Sequence, residues 1–171
     1  NGPLNTAIRA ARKAGVIILR YVDRIDTLKI GTKQHNDFVS EVDELAEQEI
    51  ISTLKKAYPD HAILAEESGP HNQHGADHPT WIIDPLDGTT NFLHGFPQFA
   101  VSIAMKQANE LQVGVIYDPM REEMFTAVRG SGARLNDRRL RINPQSKLDG
   151  SLIATGFPYY RYDYLDQYLA I

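Results

Sequence analysis

Residues 81–96 read WIIDPLDGTTNFLHGF. An apolar run stops abruptly at Asp84 and Asp87, three positions apart, and Gly88, Thr89 and Thr90 follow at once. A second apolar run, AILAEESG at 62–69, ends the same way, in Glu66 and Glu67. If the two runs are neighbouring strands, four carboxylates gather at one end of a sheet. Such a cluster repels itself and raises its own pKa values unless cations occupy it. Divalent oxygen-seeking metals are the natural partners, and Mg²⁺ favours a few carboxylates, waters and a phosphate.

The local chemistry sharpens this expectation. Pro85 keeps Asp84 extended, so the Asp84 carboxylate projects from the strand end while the Leu86 carbonyl can turn inward. Asp87 then returns to the same cluster. Gly88 allows close backbone approach, and Thr89 and Thr90 stand where a short helix can begin, with free N–H groups suited to a phosphate. A hydroxyl there can also hold an attacking water. Metals beside a phosphate cradle point to phosphoryl hydrolysis, in which ions about 3.5–4 Å apart stabilise the attacking and leaving oxygens. Asp-Gly is also an ordinary reverse-turn pair, so D-x-x-D-G alone fits a structural turn. The second acidic pair and the two threonines favour chemistry.

The rest of the chain bounds the setting. Its 171 residues allow one sizeable core, and 42% hydrophobic with 23% charged residues is ordinary for a globular protein. A net charge of −4 argues against a general nucleic-acid surface. No stretch approaches the roughly 18 to 20 apolar residues that span a bilayer, and no signal peptide is visible. With no cysteine there is no disulfide or thiolate chemistry, and a cytoplasmic location is the default expectation.

Residues 4–25 place Leu4, Ile8, Ala11, Ile18, Val22 and Ile25 at helical spacing. A second amphipathic helix follows Ser40, which with Asp43 resembles a capping box. Residues 29–40 between them read as a polar loop. Beyond Asp60 come short β-rich runs, AILAEES, TWIID, FAVSIAMK, LQVGVIYD and EMFTAVRG, with turns at QANE, YDPM and RGSG; three successive runs on short connections suggest an antiparallel meander. A last run, GSLIATGFP, leads into a helix just beginning at Leu165 and Leu169.

EES followed by WIIDPLDGTTNF resembles the signature of the inositol monophosphatase family of Mg²⁺-dependent, lithium-sensitive sugar phosphatases. LNTAIRAARKAG, NDFVSEVD, FAVSIA, VIYDPMREEMFTAVRGSGARLN and LIATGFP look like its bacterial SuhB-type members. The resemblance implies an α/β sugar-phosphatase fold, of which these residues form the α+β N-terminal, metal-binding half: two helices packed on a mostly antiparallel sheet. It implies that Glu66, Asp84, the Leu86 carbonyl and Asp87 hold magnesium, with Asp84 bridging two ions. Glu67 would stand behind those ligands or support a third ion. Gly88 and Thr89 would offer amides to the substrate phosphate, beside Leu86 and Asp87. Thr89 would pair with Asp43 to orient the attacking water, so that Asp43, Thr89 and Glu66 form the catalytic set.

The family's chains run longer by roughly half as much again. The remaining part carries a W-D-x-A motif that completes the second metal site and contacts the sugar; no such motif occurs here. These residues alone are therefore expected not to turn over substrate. The implied substrate is inositol 1-phosphate or a related small polyol phosphate. Fructose-1,6-bisphosphatase, histidinol phosphatase and nucleotide 3′-phosphatase relatives share the motifs. SuhB-type proteins are also associated with transcription antitermination, so contact with RNA polymerase or a Nus factor is the alternative function. The family is usually homodimeric.

Three further segments invite competing explanations. His61, His71, His74 and His78 could suit a zinc ion, but structural zinc sites favour tighter patterns containing cysteine, and a solvated loop over the metal site is preferred. Arg134, Arg138, Arg139, Arg141 and Lys147 fit an exposed hairpin with a charged edge. Without interleaved aromatic residues they do not suggest direct nucleic-acid binding. The aromatic cluster FPYYRYDYLDQY, 157–168, reads as core or as a subunit contact.

Overall fold

The computed structural model describes residues 2–28, 30–34, 37–72, 75, 77–142, 147–156 and 163–170. Helix α1 (Gly2–Tyr21) runs into a 3₁₀ turn (Val22–Thr27), and β1 (Ile30–Gln34) pairs antiparallel with β2 (Asp37–Ser40). The segment expected as a polar loop is thus a hairpin. Its ladder is bulged between Thr32 and Gln34 and lacks the alternating apolar pattern that would announce a strand. Helix α2 (Glu41–Ala57) follows directly.

An eight-stranded sheet makes up most of the rest, in the order β10-β9-β8-β7-β6-β5-β3-β4. Its strands are β3 (Ala62–Ala65), β4 (Gly69–His71), β5 (Thr80–Asp87), β6 (Ala100–Gln107), β7 (Glu110–Asp118), β8 (Glu123–Val128), β9 (Gly132–Leu135) and β10 (Arg138–Arg139). Among the described residues only β3 and β5 pair parallel; β6, β7 and β8 form the expected meander, and β5, β9 and β10 extend it antiparallel on either side. A short helix, α3 (Thr89–Leu93), leaves the end of β5, and α4 (Leu165–Leu169) lies near the other terminus.

Both long helices cover one face of the sheet. Along α1 the fully buried apolar residues are Ala7, Ala10, Ala11, Ala14 and Ile18, while Leu4 and Ile8, with Val22 and Ile25 of the 3₁₀ turn, pack only partly buried at the margin. Apart from Ile18, the larger apolar residues of the periodic pattern therefore rim the interface, and alanines let the backbones approach. α2 supplies Val42, Ala46, Ile50 and Leu54, and the sheet adds Trp81, Ile83, Val101, Ile103 and Val115. Contact is tightest at Gly15, where a Cβ would lie 2.6 Å from Tyr117 Cε1 on β7.

The arginine-rich hairpin is exposed at the sheet edge, with Arg134 opposite Arg139 in the ladder. The aromatic cluster is not core where it is described. Tyr164 is 67% exposed and α4 buries no residue, while Phe157–Tyr162 lie outside the described residues. One short amphipathic turn offers too little apolar area to hold itself against the sheet.

Candidate active site

The site grows from the parallel pairing of β3 with β5. Ala65 sits opposite Ile83, and the ladder continues one step as the Glu66 amide donates to the Ile83 carbonyl at 3.1 Å. Glu66 and Asp84 therefore leave adjacent strands abreast, at the carboxyl ends where open α/β sheets place their ligands. Their side chains share a hydrogen bond. Such a contact between two carboxyl groups needs one proton.

Burial pushes the Asp84 carboxyl up to about 8, reinforced by the Glu66 charge and bond and by Asp87, and opposed by the Leu86 amide. That amide donates to Asp84 Oδ1 at 3.2 Å. The β5–β6 ladder pairs Asp84 with Ser102 and Asp87 with Ala100, leaving a bulge at Pro85 and Leu86. Pro85, with no N–H to give a ladder, is tolerated at such a bulge, and the kink re-aims the backbone beyond it.

Asp87 is exposed at the end of β5. Gly88 then has φ of +101°, and a Cβ there would stand 2.9 Å from the Gln98 carbonyl oxygen. Only glycine meets both demands. α3 starts immediately after, with Thr89 at its first position.

The Thr89 hydroxyl lies 2.8 Å from Asp43 Oδ1 and 3.0 Å from the Leu86 carbonyl oxygen. It has one proton for the two acceptors. Asp43, 1% exposed, is held at its other oxygen by the Ser40 amide at 2.8 Å and by the Ser40 hydroxyl. The expected capping box is present, and the same aspartate reaches Thr89.

Sequence reasoning missed Glu47. It is 3% exposed, and its carboxylate accepts the Glu67 amide at 2.8 Å and the Ser68 amide at 3.0 Å. The turn carrying Glu66 and Glu67 is thus tied to α2. Glu47 follows Asp43 by four positions, so both acids lie on one helix face, a spacing legible in DELAE.

The donor set (carboxylates of Glu66, Asp84 and Asp87, with the Leu86 carbonyl) is all hard oxygen and suits Mg²⁺. The Glu66 charge disfavours ionised Asp84 beside it, and a cation at this point would relieve that. As the side chains stand, no three acidic or imidazole groups converge on a single point among the described residues. Asp87 adds charge to the pair without joining it.

Among the described residues His61 and His78 are neighbours, with ring centroids 6.4 Å apart, and no three metal-ligating groups gather there. His61 and His78 precede β3 and β5, at the far end of those strands from Glu66 and Asp84, so they do not overhang the site. His71 ends β4 and meets the Ser68 hydroxyl at 2.6 Å, while His74 lies outside the described residues.

A profile of the inositol monophosphatase family matches residues 3–169. The chain belongs to the inositol monophosphatase family. Nus factor SuhB of Pseudomonas aeruginosa is 52% identical over 170 residues, covering 97% of this chain and 62% of that protein. The crystal structure of extragenic suppressor protein suhB from Bartonella henselae superposes with a TM-score of 0.81 at 43% identity, over 85% of this chain and 56% of that one. The inositol monophosphatase of Anabaena (Nostoc) gives 0.71 at 35% identity, over 84% and 50%. The chain thus spans about three fifths of the length of the curated relatives it matches, 62% in the Pseudomonas case. In this inositol monophosphatase family member the fold is the expected one: α1 and α2 against a mostly antiparallel sheet.

Proposed function

We infer that the full-length protein is a Mg²⁺-dependent phosphomonoesterase acting on inositol 1-phosphate or a related small polyol phosphate, and that these residues form its N-terminal metal-binding portion. The observation that carries this is the Thr89–Asp43 hydrogen bond beside the Glu66–Asp84 contact: a water-orienting pair next to a cation-seeking pair. Bound magnesium would supply charge to the phosphate oxygens and make water more acidic. Glu66, Asp84, Asp87 and the Leu86 carbonyl are the groups that would hold it. Thr89, donating to Asp43, keeps its lone pairs available to accept from water and leaves the Leu86 carbonyl to a cation. Gly88 and Thr89 lie where backbone amides can meet a phosphate. Phosphomonoester hydrolysis needs accelerations reaching ~10²¹-fold, so concentrated electrostatic help is the natural use of such a cluster.

The test is Asp87→Asn in the full-length protein. It should abolish Mg²⁺-dependent hydrolysis of inositol 1-phosphate without unfolding the chain; retained activity would refute the assignment.

A second role is favoured by one specific observation, the name Nus factor SuhB carried by a relative 52% identical to this chain. On that basis the protein also acts, as a homodimer in the cytoplasm, through contacts with a Nus factor or RNA polymerase. An Asp87→Asn protein that still supports antitermination in cells would separate that role from the chemistry.

A further inference from the structure

We propose that Glu47 is a positioning residue for Glu66: by clamping the turn after β3 it sets where Glu66 meets Asp84, and so how tightly the site binds a divalent cation. This rests on the phosphatase reading of the site.

The turn at 66–68 links β3 to β4, closed by the pairing of Ala65 with Gly69, and that pairing leaves the peptide planes within the turn to be set by other contacts. Glu66 and Ser68 are exposed and the ladder to β5 ends at the Glu66 amide. The next two amides, of Glu67 and Ser68, both point back to one carboxylate, at 2.8 Å and 3.0 Å. A carboxylate taking two adjacent N–H groups fixes the orientation of the peptide planes on either side of Glu67. Since the first of those amides follows Glu66 directly, the bond limits where the Glu66 Cα–Cβ vector can point. Glu47 is itself held rigidly, 3% exposed on the inner face of α2 between Ala46 and Ile50, both fully buried.

One turn earlier on the same helix, Asp43 holds Thr89 and hence the 86–89 segment. α2 therefore presents a carboxylate to each of the two acid-bearing turns. Helix geometry puts positions four apart about 6 Å from one another along the axis. That spacing, carried by a rigid element, sets the separation of the Glu66 and Asp84 turns. Groups that orient metal ligands in this way typically change metal affinity by about 10–100-fold when altered.

The experiment uses the full-length protein with Glu47→Gln and Glu47→Asp, and Glu44→Gln on the exposed side of α2 as control. Mg²⁺ and Mn²⁺ affinities are measured by calorimetry without substrate. Amide exchange of segment 66–71 is measured in chelator, and the Mg²⁺ activation constant is compared with kcat. The expectation for Glu47→Gln is metal binding weaker by about tenfold or more. Exchange at 67 and 68 should be faster, the activation constant raised, and kcat at saturating Mg²⁺ largely kept. Glu47→Asp, which keeps the charge but withdraws it by one methylene, should fall between; it serves alone if the glutamine variant does not fold. Unchanged metal affinity in either folded variant overturns the proposal, even if exchange rises, because the clamp is then structural only. If the unaltered protein binds no divalent cation, the phosphatase reading fails. The clamp is still judged separately: slow exchange retained at 67 and 68 in Glu47→Gln overturns it.

Discussion

Thr89 and Asp43 lie 46 residues apart in sequence and 2.8 Å apart in space, joined by a hydrogen bond that ties the start of α3 to the first turn of α2. Thr89→Ala removes the hydroxyl and leaves every carboxylate in place. The expected result is kcat lower by roughly 10²–10⁴-fold, the range associated with a positioned proton-transfer group. Mg²⁺ affinity should barely change, and Thr89→Ser should restore most of the rate. Steady-state kinetics with calorimetry of the metal separates the two effects.

Asp84 sets a pH dependence whose sign is definite. Its folded carboxyl titrates at about 8 against an ordinary 3.8, so between those values the folded chain holds a proton that the unfolded chain has released. Stability in chelator therefore falls as pH rises through that window. Asp84→Asn removes the titration, and its melting temperature should overtake that of the parent as pH rises toward 8. Added Mg²⁺ should raise the melting temperature of the parent at pH 8 and leave the variant nearly unmoved. Parallel melting curves across pH would contradict this.

His61 gives a second titration, of opposite sense, at the other end of the sheet. The Trp81 indole N–H donates to His61 Nδ1 at 3.1 Å, and that nitrogen must be unprotonated to accept. Burial, then the neighbouring His78, hold the His61 pKa below its ordinary value, against an opposing pull from Asp60. Stability from this contact is present above about pH 6.5 and lost as pH falls toward the lower folded value. Trp81 is the single tryptophan, so its emission reports the change directly. The midpoint should lie below 6.5, and His61→Gln, which keeps an acceptor but cannot titrate, should show a flat profile.

Gly88 and Gly130 both have positive φ, +101° and +75°, but only Gly88 has backbone where a Cβ would go. Gly130→Ala should cost about 1 kcal/mol from conformation alone. Gly88→Ala must also displace the Gln98 carbonyl, so its denaturation midpoint should drop further and activity should fall with it. Equal midpoints would mean that the close approach has no energetic consequence.

Ser40→Ala tests the anchor beneath Asp43. Loss of the cap should cost about 1 kcal/mol, read from a urea midpoint. The rate should fall as well, because the Asp43 oxygen turned away from Thr89 loses the Ser40 hydroxyl and keeps the Ser40 amide alone.

Much of the site is written locally. Apolar runs ending at Glu66 and Asp84, a proline that shapes the end of β5, a glycine with positive φ and a capping serine are each legible within a few residues, because strand ends, turns and caps obey short-range sterics and hydrogen bonding. The meander through β6, β7 and β8 was legible for the same reason, its connections being short, whereas β5 joins it through the longer segment 88–99 that carries α3. The β1–β2 hairpin was not, since its runs are polar and its ladder bulged. Nor was the alanine face of α1, where periodicity points to the larger residues but close helix approach selects the small ones.

What only tertiary structure decided is which local features meet. The parallel pairing of β3 with β5 sets Glu66 beside Asp84, and the packing of α2 on the sheet delivers Asp43 to Thr89 and Glu47 to the Glu67 and Ser68 amides. These contacts join residues 18 to 46 positions apart. Their geometry comes from burying a common core, and no short stretch of sequence encodes that.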